Sequence, residues 1–180
     1  SKELSLYVHI PFCDLICPYC DFNKYSNVDN LIEDFIKSLI TEIEIKSKKF
    51  KTYQIKSIFF GGGTPSYLKE TRLSKIVEKI KSLYNVNSNA EISIEINPRD
   101  INKNILNTYS ALGINRISIG GQSFDDKVLK KLGRNHGAND LIKSINLIKE
   151  SAFSNINLDL IFGVPDQTLK QWKDTLNKFV

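Results

Sequence analysis

Methionine is absent from this 180-residue chain, tryptophan occurs once and cysteine only three times. No apolar run approaches the roughly 20 residues that a membrane-spanning helix requires. No basic-then-apolar leader opens the chain either, so a cytoplasmic location without a transmembrane segment is expected. The missing methionine and the Ser1-Lys2 start fit a processed or trimmed chain. Low-complexity stretches, linkers and internal repeats are also lacking, which reads as one domain over residues 1–180. The net charge of +5 comes from lysines spread along helix faces, and only Lys46-Ser47-Lys48-Lys49-Phe50-Lys51 gathers them. A nucleic-acid groove needs a denser basic stripe, so no nucleic-acid partner is expected. With 41% hydrophobic and 25% charged residues, what remains is an ordinary globular composition.

What is present is a regular alternation. Leu4–Ile10 places Leu6, Val8 and Ile10 on one face and Tyr7 and His9 on the other, which is strand spacing. From Asp29, a candidate N-cap, to about Lys48 the apolar residues recur at helical spacing. Strands are predicted again at 55–60, 91–96, 116–119 and 156–162. Helices are predicted over 73–83, through Leu106 and Leu112 to a C-terminal Gly113, over 125–132 and 139–150, and around 169–176. Strand and helix alternating five times, with connections long enough for crossovers, predicts an α/β fold with a parallel sheet.

The three cysteines lie in Cys13-Asp14-Leu15-Ile16-Cys17-Pro18-Tyr19-Cys20, directly after the first strand. One disulfide would leave a sulfur over, and clustered thiols in a cytosolic chain favour a metal. An iron–sulfur cluster uses all three and leaves one iron of a four-iron cube open to a small molecule. The alternative is zinc, for which His9 could be the fourth ligand in His9-x3-Cys13-x3-Cys17-x2-Cys20, although alternation makes His9 an interior, hydrogen-bonded residue. The other strand ends are equally odd for a core: Gly61-Gly62-Gly63, Glu95 with Asn97, Gly120 to Gln122, and Asp159 with Gly163. Sites in parallel α/β folds are built at that end of the sheet. If the isoleucines of the third strand face helices, Glu95 points to the opposite face, as Asn157 and Asp159 do on the fifth. Glu95 is then a ligand-binding carboxylate or one half of an ion pair with Arg116.

Taken together these strings resemble the radical S-adenosylmethionine (AdoMet) superfamily. Within it the likeness is to the oxygen-independent coproporphyrinogen oxidase group, and more closely to its haem-chaperone branch. It rests on Leu6-Tyr7-Val8-His9-Ile10-Pro11-Phe12-Cys13, on Cys17-Pro18-Tyr19-Cys20-Asp21-Phe22-Asn23 and on Gly61-Gly62-Gly63-Thr64-Pro65-Ser66. Further support comes from Ile94-Glu95-Ile96-Asn97-Pro98, Gln122-Ser123-Phe124, Leu132-Gly133-Arg134-Asn135-His136 and Asn157–Asp166. The resemblance implies a partial (β/α) barrel of the triosephosphate-isomerase type, with about five parallel βα units, cut before a sixth strand and lacking a C-terminal domain. It implies a [4Fe–4S] cluster on Cys13, Cys17 and Cys20, with AdoMet held by Gly62, Gly63, Thr64, Glu95, Gln122, Arg134 and Asp159 beside Tyr7 and Tyr19. The partners it implies are haem or a porphyrin, bound largely outside this chain, and client proteins that accept haem. The activity it implies is haem delivery or, alternatively, oxidative decarboxylation of coproporphyrinogen; a zinc-stabilised scaffold without catalysis is the reading outside the family. Two departures stand out. The oxidases carry a further cysteine where this chain has Phe22, and relatives tend to have a small aliphatic residue where it has Gly121. An unpaired sheet edge at the cut would invite a homodimer.

Overall fold

The computed structural model describes residues 2–179. Five strands, β1 (Lys2–Ile10), β2 (Tyr53–Gly62), β3 (Asn85–Ile96), β4 (Arg116–Gln122) and β5 (Asn155–Leu160), form one sheet in the order β1-β2-β3-β4-β5. Every neighbouring pair is parallel. Helices α1 (Ile32–Lys49), α2 (Glu70–Leu83), α3 (Lys103–Ala111), α4 (Asp126–Lys131), α5 (Ala138–Lys149) and α6 (Leu169–Phe179) fill the crossovers and follow β5. Crossovers of one hand between sequential strands stack the helices on a single face. The other face is left as the inner wall of an open barrel, as the alternation predicts.

That two-faced character fixes the register. Ile92, Ile94 and Ile96 are 4%, 0% and 3% exposed against the helices, with Phe60 and Ile117 beside them. A slip by one residue would exchange these isoleucines for Ser93, Glu95 and Asn97. At about 1.5–3 kcal/mol per buried aliphatic side chain, three isoleucines oppose that slip by roughly 5–9 kcal/mol. The direction of Glu95 is thus a consequence of core packing. Arg116 is the ion partner of Glu91, at 3.7 Å, so the suggested pair between Glu95 and Arg116 does not form.

Some boundaries differ from the periodicity. Asp29 is not the N-cap of α1: it opens a single 3-10 turn (Asp29–Leu31), Leu31 caps the helix, and the Asp29 carboxylate instead accepts the Tyr67 hydroxyl at 2.7 Å. β3 starts at Asn85, ahead of the alternating run, because Val86 already pairs with Ile55 before the ladder resumes at Ser57 and Glu91. Asn115 closes that irregularity by accepting from Ile92 N (2.9 Å) and donating to Ala90 O (2.9 Å). Both β1 and β5 are edge strands, so among the described residues two edges are open rather than one. No helix among the described residues is long and apolar enough to cross a membrane.

Candidate cofactor site at the strand ends

β1 delivers the chain into the cysteine loop through a fixed hinge. Tyr25 N donates to Pro11 O (2.7 Å) and Cys13 N to Tyr25 O (3.0 Å), folding residues 13–25 back on themselves. Inside the loop Cys20 N donates to Cys17 O at 3.1 Å, and the Lys24 ammonium donates to the carbonyls of Cys20 and Phe22. All three cysteines are free thiols; Cys13 is buried, and burial raises its pKa more than the Thr64 hydrogen bond lowers it. Binding a metal there must therefore expel a proton.

The glycine run at the end of β2 packs against this hinge. A Cβ on Gly63 would stand 2.8 Å from Phe12 O and 3.0 Å from Phe12 N, and one on Gly62 (φ +117°) would lie 2.6 Å from the His9 ring. The missing side chains thus let two strand ends close on each other. Gly63 N and Thr64 N seal the contact by donating to Ile10 O and Phe12 O, each at 2.8 Å. Glu95 joins from β3, its Oε2 accepting Gly62 N at 3.1 Å. Burial raises its pKa, partly offset by that hydrogen bond, and nearby Asp159 raises it further.

β4 contributes through a distortion. Its register with β5 shifts between Ile119 and Gln122, and Gln122 has φ +65°. A bulge with a non-glycine residue in the left-handed region costs about 1–3 kcal/mol and re-aims the side chain. Here it turns Gln122 into a cleft of about 150 Å³. The Gly121 departure is explained at the same place, since a Cβ there would collide with Leu158 and Leu141, which already fill the space. From β5, Asp159 accepts from Asn157 Nδ2 (2.9 Å) and Ser118 Oγ (3.4 Å).

Arg134 closes the far wall. Its Nη2 donates to Gly120 O (2.9 Å) and its Nη1 to Tyr19 Oη (3.3 Å) and Cys17 Sγ (3.5 Å), while Nε–H is buried without a partner among the described residues. Burial, with Cys17 adding to it against the opposing Arg134 charge, pushes the Tyr19 hydroxyl up to about 12. The cleft thus brings together Cys13, Cys17, Cys20, Tyr19, Gly62, Gly63, Thr64, Glu95, Gln122, Arg134 and Asp159. Tyr7 stands outside this lining, with its hydroxyl 2.9 Å from His9 Nδ1. His9 Nε2 must donate to Asn23 O at 2.8 Å, because a carbonyl only accepts. Both ring nitrogens are engaged, so the fourth ligand that a zinc site would draw from His9 is already in use.

Two residues of the site were not anticipated. Asp100 lines the cleft, receives the Ser66 hydroxyl at 2.6 Å, and has its pKa raised by burial. The only cue was its place just past β3. His136 is 4% exposed and donates from Nε2 to Gly121 O at 3.0 Å, tying the Arg134 loop to the β4 bulge. Its Nδ1 is buried with no partner among the described residues, and desolvation, with nearby Arg134 adding to it, lowers its pKa to about 4. The unfolded chain then takes up this proton first as pH falls. The stability contributed by neutral His136 is complete above pH ~6.5 and lost as pH drops towards the folded value. Urea midpoints should fall more steeply between pH 6.5 and 4 in the native protein than in His136→Gln; parallel profiles would rule this out.

Comparison with known proteins decides the family. The Radical SAM superfamily pattern matches residues 7–179. The chain belongs to the radical SAM superfamily. This radical SAM chain is 40% identical over 174 residues to the haem chaperone HemW of Bacillus subtilis, covering 96% of itself and 46% of that relative. It is 34% identical over 179 residues to the oxygen-independent coproporphyrinogen III oxidase of Escherichia coli, covering 99% of itself and 39% of that relative. It superposes on the solved coproporphyrinogen III oxidase HemN of Escherichia coli with a TM-score of 0.92 at 34% identity, over 99% of this chain and 41% of that one. Methylornithine synthase (TM-score 0.62, 13% identity) shares the fold alone. The chain thus spans about half the length of the curated relatives it matches. Radical SAM membership implies a [4Fe–4S] cluster and AdoMet. The donor set fits both: three free thiols at one rim, two of them next to hydroxyl or guanidinium donors, and beside them a buried Arg134 Nε–H without a partner among the described residues and the carboxylates of Glu95 and Asp159.

Proposed function

We propose that residues 1–180 form part of the radical SAM core of a HemW-type haem chaperone. Cys13, Cys17 and Cys20 hold three corners of the cluster. Thr64 and the Gly62–Gly63 backbone border the methionine end of AdoMet. Arg134, with its spare Nε–H, suits a carboxylate, while Glu95 and Asp159 accept from an amine or ribose hydroxyls. When bound, the cluster can supply one electron to the sulfonium; the protein's share is to bind, orient and shield. Haem is held largely outside this chain and passed to haem-accepting proteins.

One observation favours the chaperone over the oxidase: Phe22, 67% exposed on the cysteine loop, stands where the oxidases carry their extra cysteine. The test offers haem and coproporphyrinogen separately to reconstituted full-length protein. Haem should bind in a one-to-one ratio, as followed by its absorption band, and coproporphyrinogen should be recovered unchanged. Decarboxylated product would assign the protein to the oxidases instead.

A further inference from the structure

The cleft is not symmetric about its three sulfurs. The Thr64 hydroxyl donates to Cys13 Sγ at 3.4 Å, and the Arg134 guanidinium donates to Cys17 Sγ at 3.5 Å. Cys20 has no side-chain donor among the described residues; its backbone is held instead, N–H on Cys17 O and carbonyl on Lys24.

Both donors are held by structure that would be needless for loosely placed side chains. Thr64 has its N–H on Phe12 O at 2.8 Å, one residue before Cys13, and its carbonyl accepts Tyr67 N at 2.9 Å. The close approach of Gly63 to Phe12 leaves no room to shift that clamp. Arg134 has its N–H on Leu129 O at 3.0 Å, and its fork is fixed by Gly120 O at 2.9 Å and Tyr19 Oη at 3.3 Å. The sequence separation between Arg134 and Cys17 is 117 residues, so the contact is a product of the tertiary fold.

We infer that Thr64 and Arg134 set the reduction potential of the cluster, by donating hydrogen bonds to the sulfurs of Cys13 and Cys17, in addition to any contact with AdoMet. A cluster gains negative charge on reduction, and its thiolate ligands carry part of it. A donor aimed at such a sulfur stabilises the reduced state more than the oxidised one and raises the potential; hydrogen bonds to the sulfurs are among the main determinants of that potential. The electron comes from an external reductant and stays on the cluster, so no bond is made or broken. Thr64 and Arg134 act through the cysteines and are positioning residues.

This inference rests on the cluster assignment above, and one set of experiments separates the two. Full-length protein and its variants are reconstituted anaerobically with iron and sulfide, assayed for both, and titrated with reductant in the absence of AdoMet under EPR. Thr64→Val keeps the shape and removes the donor; Thr64→Ser keeps the donor; Arg134→Gln removes the charged donor from Cys17. The expected result is full cluster content in all, a midpoint potential lowered in Thr64→Val and in Arg134→Gln, and a native value in Thr64→Ser. Full clusters with the native potential in Thr64→Val and Arg134→Gln would overturn the inference while leaving the cluster assignment intact. If Thr64→Val assembles no cluster, the Arg134→Gln potential decides. Native protein that takes up no four-iron cluster would instead overturn the assignment itself.

Discussion

Cys17→Ala should leave the protein folded and unable to assemble its cluster. The chain contains three cysteines and no fourth to stand in, so the variant keeps two thiolates, too few to hold three corner irons. The loop itself should survive, because its hinge runs through backbone pairs of Pro11, Cys13 and Tyr25 and not through Cys17 Sγ. Iron and sulfide analysis after anaerobic reconstitution, with circular dichroism as the folding control, checks both halves. Iron and sulfide at four per chain in this variant would remove Cys17 from the ligand set.

Glu95→Ala should do the reverse, sparing the cluster and weakening AdoMet binding by about 10- to 100-fold. The estimate follows from losing a charged hydrogen-bond acceptor, about 1.5–3 kcal/mol in a buried site. Glu95 has no hydrogen bond to a cysteine among the described residues; its fixed contact is Gly62 N, and that amide also loses its partner in the variant. Glu95→Gln separates the two effects, since an amide oxygen can still accept from Gly62 N while the charge is gone. Binding to the native protein should weaken on acidification at a higher pH than for an ordinary glutamate, because burial raises this carboxyl's pKa. Calorimetric titration of AdoMet into cluster-loaded protein reads all three; native affinity in Glu95→Ala would take this residue out of the pocket.

The features legible in the chain were those encoded by neighbours in sequence. Two-residue alternation pointed Glu95 away from Ile94 and Asp159 away from Leu158, and a helical repeat placed α1 and α5 within a few residues of their observed ends. Asp29 misled because an aspartate before an apolar repeat has the composition of an N-cap, whereas its carboxylate is claimed by Tyr67, 38 residues away. Tyr7 shared the strand-end neighbourhood with the other candidates, but that its hydroxyl lies 2.9 Å from His9 Nδ1, with burial and the nearby Glu95 carboxylate raising its pKa, no local pattern could say. Asp100 and His136 went unseen for the same reason in reverse: each matters through a partner, Ser66 or Gly121, that no local pattern names.

Sequence alone determined the fold class, the crowded thiols and the face on which each strand residue lies, because periodicity and spacing are local properties that burial then enforces. Tertiary structure alone decided that Gln122 turns at a bulge, that Gly62 and Gly63 serve the closure of two strand ends, and that Arg134 reaches Cys17. Those outcomes depend on which atoms already occupy the space between distant segments, and packing settles that only when the sheet has curled.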